Sequence, residues 1–271
     1  LQDWQGFDNP KIVIENHAMK KALGMEDTEH QELLKIFNGS KKIGSLKPLS
    51  MVYSGHQFGQ YVEQLGDGRG LLFAQINSNE GLLDIHLKGA GKTPYSRFGD
   101  GRAVLRSVIR EYLCGEAMHA LSIPTSRALM IIGSDEMVIR EKSESAAMLV
   151  RTAKTHIRFG SFEYFHYNNK HEHVKALADF CINSYPQYFS KTKNAYVDFF
   201  RVIVKETAKM IARWQACGFN HGVMNTDNMS ILGETFDYGP YGFMEDYNPS
   251  HVCNHSDHQG RYAFKNQPYI G

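Results

Sequence analysis

Over residues 196–217 the apolar side chains Val197, Phe200, Val204, Ala208, Ile211 and Trp214 recur three or four positions apart, the period of one helix face. Gly218 follows as a stop signal, so the stretch predicts a long buried helix. The same period, carried by Val104, Leu105, Val108, Ile109, Tyr112 and Leu113, predicts an amphipathic helix over residues 103–121. Upstream the pattern is that of strands. Residues 71–74 and 83–87, joined by the polar turn Asn77-Ser78-Asn79-Glu80-Gly81, predict an antiparallel hairpin with Lys88 at the end of its second strand. Residues 128–132 and 136–140, split by Gly133-Ser134-Asp135, predict a second hairpin. Residues 1–50 mix charge with short apolar groups, and only 29–37, around Leu33, Leu34 and Ile36, predict a short helix. Strands with one central helix thus precede a helical half, and the expected class is α+β in two lobes around a cleft. Residues 1–150 would form an N-terminal extension and a β-rich lobe, and residues 151–271 a helical lobe. There is no internal repeat, no low-complexity tract and no long linker.

Composition narrows the class further. A chain of 271 residues with 42% apolar content can bury a real core, and a formal net charge of +1 gives no general attraction to nucleic acid or anionic membrane. No apolar run approaches the roughly 18 to 20 residues that span a bilayer, and the first residues lack the order of a secretory signal. A cytoplasmic protein with neither nucleic-acid nor membrane partner is expected. Cys114, Cys181, Cys217 and Cys253 are scattered without a Cys-x-x-Cys pair and read as reduced thiols. The chain begins with Leu1 and stops shortly after its last chemical motif, which leads to the expectation of a fragment.

That chemistry lies in two strings. Asp227-Asn228 closes His-Gly-Val-Met-Asn-Thr-Asp-Asn, and Asp237 stands inside Phe-Asp-Tyr-Gly, nine positions after Asn228. Phosphoryl-transfer enzymes of the protein-kinase type hold divalent cations with an Asn closing a catalytic loop and an Asp opening a downstream turn. Asn228 and Asp237 suit both posts. The kinase base, however, stands five residues before the Asn, and here that position is Val223. Lys88 at a strand end and Glu111 on the next helix suit an ion pair that aims the ammonium at phosphates. Two Gly-Asp-Gly-Arg turns, Gly66-Asp67-Gly68-Arg69 and Gly99-Asp100-Gly101-Arg102, flank Lys88, and their amides could approach phosphate closely; ordinary hairpin turns are the alternative. Arg151 and Arg158, seven apart, would share one face if their segment is helical and could clamp a polyphosphate. No G-x-x-x-x-G-K-[ST] signature occurs. His251, Cys253, His255, Asp257 and His258 invite a zinc reading, but their spacing resembles no established finger. Phe159, Phe162, Tyr164, Phe165 and Tyr167 read as packing rather than a nucleic-acid stacking platform.

Together these strings resemble the selenoprotein O / YdiU family. The resemblance rests on Ser54-Gly55-His56-Gln57-Phe58-Gly59, Leu87-Lys88-Gly89-Ala90-Gly91, Thr93-Pro94-Tyr95-Ser96-Arg97, Arg110-Glu111, Ile123-Pro124-Thr125, Arg158-Phe159-Gly160 and Asn254-His255-Ser256-Asp257, with the runs 64–70, 99–106 and 221–231. It implies a bilobal protein-kinase-like fold that transfers a nucleoside monophosphate from ATP or UTP to Ser, Thr or Tyr hydroxyls of proteins, itself included, releasing pyrophosphate. By the same resemblance Gly66, Gly68, Arg69, Lys88, Asp100, Gly101, Arg151 and Arg158 contact the nucleotide and Glu111 orients Lys88. Asp227 is the general base, and Asn228 and Asp237 hold Mg2+ or Mn2+. The nucleotide would lie flipped, its innermost phosphorus toward the acceptor, and Asp227 is expected to keep a low pKa beside cations. The family runs well beyond residue 271, often to a redox pair. Two other readings stay open: a small-molecule or protein kinase, and a nucleotide-binding pseudokinase scaffold.

Overall fold

The structure, a computed structural model, describes residues 4–44, 46–79, 81–189 and 192–271. In chain order the first elements are β1 (Lys11–Glu15), α1 (His17–Ala22), α2 (His30–Phe37), β2 (Gly55–Gln57), β3 (Gln60–Val62), β4 (Gly70–Ser78), β5 (Gly81–Lys88) and β6 (Ala103–Val104). There follow α3 (Leu105–Ala120), β7 (Arg127–Ile139), β8 (Ser143–Ala153), α4 (Phe159–Tyr167), α5 (His171–Ser184), α6 (Ala195–Ala216), β9 (Phe219–Asn220), β10 (Gly242–Phe243) and α7 (Gln267–Ile270). The class is α+β. By internal contacts the chain forms two units. One comprises residues through Val52, Leu65–His119 and Ser126–His156; the other comprises Tyr53–Gln64, Ala120–Thr125 and Ile157–Gly271.

In the first unit, six strands among the described residues make an antiparallel sheet ordered β1-β7-β8-β5-β4, with β6 added to β8. Alternation along β5 sets its two faces. Leu83, Ile85 and Leu87 enter a core with Met19 of α1, Leu33, Leu34 and Phe37 of α2, and Phe73. Asp84, His86 and Lys88 occupy the opposite face, where Arg151 stands across from His86 in register. On that face Val108 of α3 packs with Ala128, Ile131, Ala147 and Leu149, which carries α3 beside the polar row.

The predicted hairpin β4–β5 and the helices α2 and α3 are present, although Ala103 and Val104 pair with β8 rather than beginning α3. Glu80 of the predicted turn lies outside the described residues. The second predicted hairpin is corrected: β7 runs unbroken through Gly133-Ser134-Asp135, and the chain reverses only after Ile139. The surplus residues are absorbed as an irregularity between Gly133 and Met137, where Ser134 Oγ donates to Ala146 O at 3.2 Å and receives Glu136 N at 3.2 Å. Residues before 50 are structured beyond the one predicted helix. The Asn38 side chain exchanges hydrogen bonds with the backbone of Phe7 at 2.8 and 2.9 Å, and β1 lines the edge of β7.

His86 and His156 stack in this unit with ring centroids 4.6 Å apart, and Asp84 Oδ2 lies 3.3 Å from His156 Nδ1. Burial, then the His86 ring, pushes the pKa of His156 down to about 3, against the Asp84 hydrogen bond that raises it. An unfolded histidine takes its proton near pH ~6.5, whereas the folded ring stays neutral far below that. The stabilising contribution is therefore complete above that pH and is lost as pH falls, by up to about 1.4 kcal/mol per unit. Urea unfolding at about pH 7 and about pH 5 will show the slope, and His156→Gln is expected to flatten it; an unchanged slope in the variant refutes the assignment.

In the second unit α6 buries Phe199, Thr207, Met210, Ile211 and Trp214, and it ends before Gly218 at φ +70°, as its sequence implies. The prediction of a wholly buried stripe is corrected. Val197, Phe200 and Val204 are 50%, 66% and 51% exposed, and the latter two line an open apolar groove of about 840 Å³. The stripe is therefore wider than the face that packs. Beyond α6, β9 pairs with β10, and a 3-10 turn, Thr226–Asn228, carries the conspicuous Asp-Asn. No helix among the described residues is long and apolar enough to cross a membrane.

Candidate functional site

In the first unit, β5 ends at Lys88 and α3 presents Glu111 from the same face of the sheet. Lys88 Nζ donates to Glu111 Oε2 at 2.5 Å, and Arg151 of β8 donates to Glu111 Oε1 at 3.0 Å. One carboxylate, 5% exposed, thus holds two cations that the sequence separates by sixty-three positions. The expected ion pair is present, and Arg151 joins it. Both Gly-Asp-Gly-Arg turns lie in this unit. Gly101 sits at φ +74°, and a Cβ there would fall 2.1 Å from the Gly91 carbonyl, so only glycine fits between the second turn and the loop after Lys88. Asp100 accepts Arg102 N at 2.9 Å and pairs with Arg140 at 2.7 Å, and the Arg140 guanidinium holds its carboxyl below the usual range. The two turns use their arginines differently. Arg102 is buried over the Phe7 ring and bound to Glu136, while Arg69 is exposed.

In the second unit the buried His221 ring stacks on Trp214 and bonds through Nε2 to Phe236 O at 3.1 Å. Burial lowers its pKa, so it serves as a neutral strut between the loop and the Asp237 segment. Asn228 Nδ2 donates to Val223 O at 3.0 Å, which fixes the amide and leaves Oδ1 as an acceptor. Asp237 is held at φ +57°, a left-handed conformation uncommon outside glycine. Arg158 links the two loops, donating to Asp227 O at 2.6 Å and to Asp237 Oδ2 at 2.8 Å, with Tyr53 and Phe236 on its faces.

One expectation about these residues changes. Arg151 lies on a strand, and Arg158 is extended (φ −122°, ψ 166°) ahead of α4, so no helix face aligns them. Alternation cannot be read in 143–153 because β8 is buried on both faces over most of its length. Asp227, expected to keep a low pKa beside cations, has its pKa pushed up by the protein's own groups. Burial is the main cause, the hydrogen bond from Gln57 and the charge of Arg158 oppose it, and Asp237 adds to it.

Asn228 and Asp237 supply an amide oxygen and a carboxylate, the hard donors that Mg2+ or Mn2+ prefers, and the fixed amide of Asn228 fits such a cation. The His251–His258 segment is put to other use: Asp257 caps a turn by accepting Arg261 N and Tyr262 N at 2.9 and 2.7 Å. Among the described residues, no three His, Cys, Asp or Glu side chains form a metal-holding group. Sequence reasoning missed Gln57, whose amide donates to Asp227 Oδ2 at 3.1 Å. It stood inside a recognised string, but its partner lies 170 positions away.

The family model described as protein adenylyltransferase SelO matches residues 3–271. Among curated proteins, the protein nucleotidyltransferase YdiU of Vibrio parahaemolyticus is 55% identical over all of this chain and 55% of its own length. That of Myxococcus xanthus is 53% identical over 98% of this chain and 55% of its own. The chain spans about half the length of these curated relatives.

Proposed function

Because the chain belongs to the SelO family, we propose that it acts as a protein nucleotidyltransferase, moving AMP or UMP from ATP or UTP onto Ser, Thr or Tyr hydroxyls of proteins and of itself. We read its fold as protein-kinase-like, a reading supported by an antiparallel sheet whose strand-end Lys88 meets Glu111 of the adjoining helix. The observation that carries the transfer chemistry is the position of the acid. Val223 fills the place of the kinase base, its carbonyl merely fixing Asn228, while the buried carboxylate of Asp227 stands next to that Asn.

On this reading the glycine turns and Arg69 cradle the donor, and Lys88, Arg151 and Arg158 meet the negative charge that grows on departing pyrophosphate. Glu111 holds Lys88 and Arg151 in place beforehand, which is the preorganisation such stabilisation requires. A divalent cation held by Asn228 and Asp237, Mg2+ or Mn2+, would neutralise phosphate charge. Asp227 takes the proton of the incoming hydroxyl, its buried carboxylate standing next to Asn228.

Incubation with Mg2+ or Mn2+ and α- or γ-labelled ATP or UTP tests the reading. Label is expected in protein from the α position alone. Label from the γ position restores a kinase, and nucleotide binding without either label leaves a scaffold.

A further inference from the structure

The hairpin β2–β3 lies in the second unit and is fastened to the loop that carries Asp227. Its pairing is Gly55↔Val62, His56↔Tyr61 and Gln57↔Gln60, with the left-handed Phe58-Gly59 (φ 52° and 83°) as a two-residue turn. The hairpin backbone is bonded to the loop on both sides of Gln57. His56 N donates to Thr226 Oγ1 at 2.8 Å, and Phe58 N to Asn225 Oδ1 at 3.3 Å and Tyr262 Oη at 3.0 Å. Glu163 of α4 completes the fastening, accepting Thr226 Oγ1 at 2.6 Å and lying 2.9 Å from His56 Nδ1.

This frame confines the Asp227 carboxylate. A Cβ on residue 55 would lie 2.3 Å from Oδ1, so the oxygen rests directly against the Gly55 backbone. Oδ1 is buried and has no hydrogen-bond partner among the described residues. It is sealed from an incoming group. Oδ2 is the oxygen that the Gln57 amide reaches, and a carboxylate oxygen with one hydrogen bond keeps a second lone pair.

We infer that Gln57 is a positioning residue for transfer: its amide fixes the plane of the Asp227 carboxylate so that Oδ2 presents its free lone pair to the acceptor hydroxyl. The inference rests on the assignment of Asp227 as base. In the step it serves, the acceptor O–H proton passes to Oδ2 and the acceptor oxygen bonds the α-phosphorus. The α–β bridging P–O bond breaks, and its electron pair leaves on pyrophosphate. Gln57 exchanges no proton.

The test uses Gln57→Leu, which removes the donor, and Gln57→Glu, which keeps the length and replaces the amide with a second carboxylate. Transfer of α-labelled nucleotide is measured as kcat and as KM for nucleotide, beside the unfolding midpoint. Misplacing a reacting group by about 1 Å costs on the order of 100-fold, so kcat is expected to fall roughly 10- to 100-fold in both variants. KM for nucleotide is expected to stay within about twofold and the midpoint to hold, a split that lost structural support would not produce. Wild-type kcat in either variant overturns the inference, as does a fall in kcat matched by a rise in KM. Asp227→Ala is run alongside: if it transfers normally, the base assignment fails and this inference with it. If it is dead while the Gln57 variants are normal, only the inference fails.

Discussion

Asp227→Ala is expected to abolish nucleotidyl transfer, lowering kcat by about 1,000-fold or more, while nucleotide affinity changes by no more than about threefold. A positioned general base contributes roughly 100- to 10,000-fold, and no other carboxylate on the loop 221–228 can take over. Affinity survives because the proposed donor contacts are made elsewhere, by the glycine turns, Lys88 and the arginines. The surroundings survive too. Arg158 binds the backbone carbonyl of Asp227 rather than its carboxylate, so its bridge to Asp237 remains after truncation. Single-turnover transfer of α-labelled ATP with saturating Mn2+, beside equilibrium nucleotide titration, reads the two quantities separately. Transfer at the wild-type rate would remove Asp227 from the mechanism.

The largest effect on stability is expected at Glu111. Its two oxygens engage Lys88 and Arg151, and all three side chains are largely buried, at 5%, 12% and 3% exposure. Truncating it leaves two cations in the interior without their shared counter-charge. Removing one partner of a buried pair costs about 3–5 kcal/mol, because the remaining charge has lost water and gained nothing. Glu111→Ala should unfold at much lower urea concentration and bind nucleotide poorly, since Lys88 is no longer aimed. Lys88→Ala is milder in unfolding, because Glu111 keeps Arg151. An unfolding free energy for Glu111→Ala within about 0.5 kcal/mol of wild type, the range of ordinary surface changes, would show that the triad is not the support described.

Much of the fold is legible in the sequence. Long periodic runs gave α3 and α6, and strands bounded by turn residues gave β4 and β5, with Lys88 at the strand end. Asn228 and Asp237 stood out by a spacing of nine positions, and Arg158 ties the two loops that carry them. What could not be read was set by contacts between distant parts of the chain. Gly133-Ser134-Asp135 has turn chemistry, yet pairing with β8 captures Ser134 in a bulge. Val197, Phe200 and Val204 share the helical period of Trp214, but period alone does not say which part of a wide apolar stripe finds a neighbour. Gln57 and the stacked His86–His156 pair are invisible to local pattern, their partners lying 170 and 70 positions off. Burial, likewise a property of the folded state, pushes the pKa of Asp227 up among the protein's own groups.

The two-residue repeat of β5 ties folding to chemistry within eight residues. Leu83, Ile85 and Leu87 fill one side while Asp84, His86 and Lys88 serve the other. Deleting a single residue in mid-strand would exchange the sides, driving a lysine and a histidine into the aliphatic interior and turning leucines toward the polar row. Length changes here are therefore forbidden in a way that point substitutions are not: the strand can evolve letter by letter but cannot lose or gain one.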